Sequence, residues 1–400
     1  MERLNTLLPL CDELLSDTET NADEVISMPT DTFFLDPPTE QSQLKAKIVV
    51  HYFTAWSRVI QKWETPMAYV DLFCGPGKYN DGSLSTPLQI VQQTLGDWDL
   101  SRKMSFTFND CDEAKVASLQ QSILQLDADN KLSKRISYHH LTVEQDFYKR
   151  VNIPPGVPVL SFVDPFGYEG VTVRLIDRLI ANRGSDCIFF FNYNRINMAL
   201  SNTKFDEHLE SLFGVSRTAE LKRELSALSP ELRELSILNA LVEALLEQKG
   251  NYVLPFKFYS AQMKRTSHFI IFVTKHPIAC RIMKNIMYAN SAKDSDGVAT
   301  FSLQDSRNFG DRFDQISMFN RPFQSLYDSI LHQYQGRTVK VSTLCNQADN
   351  DIHSHFVSKN VKDVLRRLEE EGRIVVVDGR KQKSRNGLLN MPDAATVQFL

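Results

Sequence analysis

From Lys45 onward, apolar residues recur at Ile48, Val49, Tyr52, Phe53, Trp56, Val59, Ile60 and Trp63, a helical period that makes one continuous stripe. The stripe predicts a helix laid against a core. Pro66 breaks the run, and the stretch from Met67 to Phe73 reads as a short buried strand ending in a glycine-rich turn. Helices and strands then alternate: a helix around 86–96, a strand from Met104 to Phe108, a helix from Glu113 to Leu126, and strands from Arg135 to His140 and from Pro158 to Val163. A helix from Thr172 to Ala181 and a strand from Asp186 to Asn192 continue the rhythm. Such alternation predicts a mostly parallel sheet, covered on both faces and joined by right-handed crossovers.

Residues 200–250 break it, being rich in Leu, Glu and Ala with helical periodicity, and read as a helical insertion. Strands from Tyr252 to Tyr259 and from His268 to Thr274, around a polar turn, predict a hairpin closing one edge of the sheet, followed by a helix from Pro277 to Ala289. Residues 291–320 have no clear period and read as a linker. Residues 321–400 read as a separate unit of three helices and a β-hairpin, a winged helix-turn-helix domain. Its third helix, from Ser358 to Glu371, turns Val361, Val364, Leu365 and Leu368 inward and exposes Lys359, Lys362 and Arg366. The hairpin loop carries Arg380, Lys381, Lys383 and Arg385 and forms the wing. The domains expected are thus an acidic extension at 1–44, an α/β domain at 45–290, the linker, and the winged helix.

Composition adds limits. A chain of 400 residues exceeds what one core usually organises, and 42% hydrophobic with 24% charged residues is the balance of a globular protein. No apolar run approaches the ~18 residues of a membrane span, and the N-terminus turns acidic at once, so the expectation is a cytoplasmic protein without a membrane partner. The net charge of −4 argues against a whole-protein nucleic-acid glove, and residues 1–44 hold ten acids against one base, Arg3. Asp36-Pro37-Pro38 lies in that leader with no strand before it, and so is not read as a catalytic turn. The six cysteines form no C-x-x-C pair and are expected to be buried free thiols. His139, His140, His353 and His355 lack partners at metal-ligand spacing, so no metal is expected.

The sharpest local signal is the run from Val70 to Tyr79, VDLFCGPGKY, a strand entering a turn where Gly75 and Gly77 allow close approach of a ligand to the backbone. A dinucleotide fingerprint would place a third glycine at position 80, which is Asn80. Asp71 at the strand end also disfavours a pyrophosphate and suits an ammonium or sulfonium ligand, with Phe73 beside it. S-adenosylmethionine has both cations and no phosphate. Asp110, with Asp112 as the alternative, ends the second strand where an acid can take both ribose hydroxyls. Asp146, after the third strand, is the candidate acceptor for the adenine amine.

The fourth strand delivers Asp164, Pro165, Phe166, Gly167 and Tyr168 to the same edge. An Asp carboxylate and a proline carbonyl can accept the two hydrogens of a conjugated amine while its lone pair turns toward a methyl group. Phe166 or Tyr168 can stack on an extruded base. The bland alternative is a strand-ending turn with its aromatics in the core.

In order and spacing, VDLFCGPG, FNDCDE and FVDPFGYEG resemble the motifs of class I methyltransferases. With KAKIVVHYFTAWSRVI, Thr86-Pro87-Leu88, FIIFVTKH and the C-terminal unit, the chain from Lys45 on resembles the three-Cys-motif partner protein family. That resemblance implies a Rossmann-like methyltransferase fold and association with a radical-SAM-like protein bearing three cysteines, often in mobile or defence gene neighbourhoods. The Asp164 segment is also similar to that of tRNA guanine-N2 methyltransferases. The function expected is an S-adenosylmethionine-dependent methyltransferase acting on an exocyclic amine of DNA or RNA. The alternative is a partner or regulatory subunit that binds cofactor or nucleic acid without catalysis.

Overall fold

The computed structural model describes residues 37–63, 66–143, 155–165, 170–247, 251–259, 266–292, 302–303, 322–352, 354–379 and 390–400. Helix α1 (Glu40–Gln61) starts ahead of the expected stripe because Thr39 caps it, its hydroxyl accepting from the Ser42 amide, with Glu40 in the first turn where the helix dipole favours an acid. Then follow β1 (Met67–Asp71), α2 (Thr86–Leu95), α3 (Trp98–Lys103), β2 (Met104–Asn109), α4 (Glu113–Leu126), β3 (Ile136–His139), β4 (Val159–Val163), α5 (Val173–Leu179) and β5 (Asp186–Phe191). Helices α6 (Tyr193–Ala199), α7 (Asp206–Phe213), α8 (Val215–Glu224) and α9 (Pro230–Leu246) lead to β6 (Tyr252–Tyr259), β7 (Thr266–Thr274), α10 (Pro277–Ala289) and β8 (Ser302–Leu303).

Eight strands form one sheet in the order β3-β2-β1-β4-β5-β7-β6-β8. The first five pair in parallel, β7 runs antiparallel to both β5 and β6, and β8 adds in parallel beside β6. The expected hairpin is therefore not the sheet edge, since β8, which falls inside the expected linker, extends it. On one face α1, α2, α4 and α10 bury Val49, Tyr52, Phe53, Leu88, Leu119 and Met283 against β1, β2 and the β6–β7 hairpin. On the other, α5 is joined by the insertion, whose Leu209, Leu212, Ile237 and Leu241 close over Val70, Val253 and Ile271. The inserted helices are thus a covering layer, as a sheet apolar on both faces requires.

Buried polar groups tie α1 to the sheet. Tyr52 donates its hydroxyl to Asp186 at 2.6 Å and Trp56 its indole N–H to the Gly184 carbonyl at 2.8 Å, fixing α1 to the bottom of β5. Burial pushes the Asp186 carboxyl up to about 7.

The C-terminal unit runs α11 (Pro322–Tyr334), β9 (Thr338–Lys340), α12 (Val341–Asn350), α13 (Ser358–Glu370), β10 (Ile374–Asp378) and β11 (Thr396–Phe399). A short strand, β9, precedes the second helix, and the result is a three-stranded antiparallel sheet in the order β10-β11-β9 instead of a bare hairpin. Its own core gathers Ile330, Leu344, Val361, Val364, Leu365, Leu368 and Val397. The unit is mounted on α10. Lys284, with none of its surface exposed, donates to the carbonyls of Ala348 and Asp351 at 2.6 Å each, at the C-terminal end of α12 where the helix dipole favours a cation. Asn360 also donates to the Tyr288 hydroxyl at 3.1 Å, and Arg281 to the Asn346 side-chain Oδ1 at 3.2 Å.

Candidate functional site

The carboxyl ends of β1, β2 and β4 are neighbours, and ligands of open α/β sheets gather at that edge. Asp71 ends β1 and is fully buried. It does not face a ligand as a free anion: one oxygen accepts from the Tyr69 hydroxyl at 3.1 Å and the other from the Phe73 amide at 3.2 Å. Burial pushes its carboxyl up to about 8, with the Asp164 and Asp110 charges adding to the rise. Asp71, expected at the strand end as a partner for a cationic ligand, is engaged by the turn itself, and holds half-buried Phe73 in place.

After Leu72 the chain turns under Asn109, whose side-chain N–H group donates to the Leu72 and Leu141 carbonyls at 3.0 and 2.9 Å while its oxygen accepts from the Leu141 amide at 3.0 Å. That staple holds the ends of β1 and β2 and the segment after β3 together, and it orients the next residue. Asp110, 3% exposed, accepts from the Gly75 amide at 3.1 Å and from the Asp112 amide at 3.0 Å. The ribose acid expected at the end of β2 is thus in direct contact with the glycine loop expected to cradle the cofactor. Asp112, the alternative, caps α4 by accepting from the Ala114 amide at 2.9 Å.

Both glycines of the loop have positive φ, +62° at Gly75 and +93° at Gly77. At Gly77 the missing side chain does not make room for a ligand. A Cβ there would meet Leu119 Cδ1 at 2.9 Å and Leu88 Cδ1 at 3.1 Å, so the position exists to pack the loop on α2 and α4.

Asp164 follows β4, with Pro165 buried behind it. Its carboxylate forms an ion pair with Lys45 of α1, the two side chains being 24% and 11% exposed. The Lys45 ammonium also lies 4.3 Å from the centroid of Phe190, a favourable cation–π distance, and Phe190 in turn stands 4.2 Å from the ring of His268. Burial, and then the Lys45 charge, lower His268 to about 3, so this histidine stays neutral. Burial, and then the charges of Asp164 and Asp81, raise the Tyr79 phenol to about 12.

Lys45 and His268 were not singled out from the sequence. A lysine one turn before Ile48 and Val49, on the apolar stripe of its helix, was the available sign. Phe166, Gly167, Tyr168 and Asp146 lie outside the described residues, as do Arg380, Lys381, Lys383 and Arg385 of the expected wing. Of the three bases expected to be exposed on α13, Lys359 is exposed and Lys362 and Arg366 are half-buried, and all three stand in ion pairs: Lys359 with Asp363 at 3.0 Å, Lys362 with Asp393 at 2.8 Å, and Arg366 with Asp363. Cys74, Cys187, Cys280 and Cys345 are buried as expected, but Cys111 is exposed. Among the described residues no group of His, Cys, Asp and Glu could hold a metal ion, and no helix is long and apolar enough to cross a membrane.

The order β3-β2-β1-β4-β5-β7-β6 with an antiparallel β7 differs from the dinucleotide order by that inserted strand. It is the arrangement of the methyltransferase-like Rossmann α/β fold, and that is the class of this domain. No family profile and no curated protein matches the chain. Similar solved structures include the O-methyltransferase TomG from Streptomyces achromogenes, in complex with SAM, at 10% identity over 57% of this chain and 79% of that one, TM-score 0.31. The methyltransferase domain of a bacterial CtHen1-C is 13% identical over 57% of this chain and 98% of that one, TM-score 0.29. WbdD is 11% identical over 62% and 43%, TM-score 0.35. Likenesses this distant carry no weight on function; the fold assignment rests on strand order.

Proposed function

We propose that this chain is an S-adenosylmethionine-dependent methyltransferase acting on an exocyclic amine of a nucleic-acid base, with the C-terminal unit, read as a winged helix, positioning the strand. The observation that carries the reading is the convergence of Gly75, Asp110 and Asp164 on one edge of a sheet with methyltransferase order. The residues fit the cofactor. Asp110, held against the loop by the Gly75 amide, stands where the acid of dinucleotide folds meets a ribose diol, and the loop lacks the third glycine of a pyrophosphate cradle. When bound, the cofactor supplies an electrophilic methyl group on a sulfonium sulfur.

The chain's own work is orientation. Asp164 and the Pro165 carbonyl accept the two amine hydrogens, and the Lys45 ion pair fixes the direction of the carboxylate. Alignment of this kind can supply ~7–11 kcal/mol of barrier lowering. The helix-strand-helix-helix-strand-strand order of the C-terminal unit supports the winged-helix reading. Lys359, Lys362 and Arg366 are in surface ion pairs worth little, which phosphates can displace.

Isothermal titration of S-adenosylmethionine and S-adenosylhomocysteine into wild type and Asp110→Ala tests the cofactor site. Binding that the variant weakens supports it; wild type that binds neither sinks it. A second reading is favoured by the Lys45–Asp164 pair itself, because an amine must share a carboxylate already engaged. On it the chain is a non-catalytic partner of a radical-SAM-like three-cysteine protein. Asp164→Ala decides: loss of methyl transfer with cofactor affinity retained supports catalysis, and a surviving phenotype supports partnership.

A further inference from the structure

We propose that a cavity lined by α1, α2 and the loop between β1 and α2 is a phosphate-binding site for the acceptor. It measures about 520 Å³ and lies between α1, the loop leading into α2, and α2 itself. Helix α1 contributes Lys47 and His51, both exposed and neither with an ion-pair partner among the described residues. The N-terminus of α2 opens into it with Ser85 and Thr86.

Ser85 is the decisive residue. It holds the N-cap position, where a serine hydroxyl ordinarily accepts from an amide of the first turn, yet it makes no such bond. Its side chain is 4% exposed, and its hydroxyl has no hydrogen-bond partner among the described residues. A buried hydroxyl without a partner costs stability, and it points to a ligand that supplies one. Pro87 has no N–H, so the first turn offers the Thr86 and Leu88 amides, and the positive end of the helix dipole adds to them for an anion. Among the described residues no carboxylate lines the cavity, so hydroxyl, amides, lysine and histidine converge without opposition. The volume exceeds that of a phosphate alone and accommodates a nucleotide.

Tyr79 ties this cavity to Asp164: it lines the one and stands in the field of the other. A phosphate seated on Ser85 therefore leaves the adjoining nucleotide against Tyr79, which lines the same cavity. The identity of the acceptor rests on the methyltransferase reading; the chemistry of the cavity does not. The phosphate comes either from the backbone of a single strand or from a free nucleoside phosphate.

The test uses the full chain, with a labelled single-stranded oligonucleotide and nucleoside 5′-monophosphates as probes, titrated into wild type, Ser85→Ala and the double variant Lys47→Glu/His51→Glu. Lys47 and His51 are exposed, so the double variant keeps the fold. The expected result is at least about a tenfold loss of probe affinity in the double variant, with the slope of log affinity against log salt reduced by about 1, the share of Lys47. Ser85→Ala weakens the same probe. Binding of monophosphates that compete with the oligonucleotide identifies a free nucleotide as the source; binding of the oligonucleotide alone identifies the backbone. If the double variant binds like wild type, or wild type binds neither probe, the assignment is overturned. Titration of S-adenosylmethionine into the same proteins keeps the two readings apart: loss of probe binding in the variants, with no cofactor binding to wild type, upholds the cavity and rejects the methyltransferase.

Discussion

The Lys45 ammonium closes an ion pair on the Asp164 carboxylate, joining the first turns of α1 to the end of β4 across 119 positions of sequence. Both groups are largely shielded from solvent, and Phe190 backs the lysine. The pair should therefore show more coupling than a surface pair does. In a double-mutant cycle with Lys45→Met and Asp164→Asn, unfolding by urea should give a coupling energy of about 1–2 kcal/mol. A value near zero would make the pair incidental to the fold.

Asp71 predicts a pH dependence. Its carboxyl titrates at about 8 in the folded protein, against about 3.9 for an unperturbed aspartate, so between those values the folded state holds a proton that the unfolded state has lost. Stability is thus highest below the lower value and falls as pH rises through the window. Asp71→Asn keeps an acceptor and a neutral group, and it should flatten that fall. Thermal melting of wild type and variant at several pH values checks it; parallel curves would show that Asp71 ionises normally. Asp186 contributes a fall of the same sign in both proteins, so the difference isolates Asp71.

Two glycines with nearly equal φ separate backbone strain from packing. At Gly170 (φ +80°) an added Cβ would lie 2.0 Å from the Val143 carbonyl oxygen, whereas at Gly82 (φ +81°) nothing lies within 4 Å. Gly82→Ala should cost about 1–2 kcal/mol from the left-handed backbone alone. Gly170→Ala must also move the segment after β3, and should lower the melting temperature far more. Equal losses would refute the close approach.

Lys284 predicts how the two units come apart. Lys284→Leu leaves the Ala348 and Asp351 carbonyls without their donor, at about 1–3 kcal/mol for each buried acceptor. Hydrogen exchange should speed up in α12 while the sheet stays protected. Uniform protection in the variant would place the mounting elsewhere.

Sequence pattern revealed elements that were long, capped and apolar on one face. The helices Glu113–Leu126 and Pro277–Ala289 were read to the residue because Asp112 caps one and Pro277 begins the other. Trp98–Lys103, Thr338–Lys340 and Ser302–Leu303 escaped because so few residues show no period. The order of motifs gave the sheet edge where Asp71, Asp110 and Asp164 meet. What it could not give were relations across the sequence: the burial that neutralises Asp71, the leucines that fill the space beside Gly77, and the lysine that engages Asp164.

The seat of α12 on α10 has a further meaning. A small unit tethered by a loop can wander, but one whose helix end is clamped by a buried lysine is held at a constant remove from the sheet. On the proposed function, a strand gripped by that unit would reach the edge with Asp164 at a set number of steps from the point of grip. Selection would then be made by counting along the substrate, as a ruler does, leaving the chemistry of the edge free to be undemanding about what it meets.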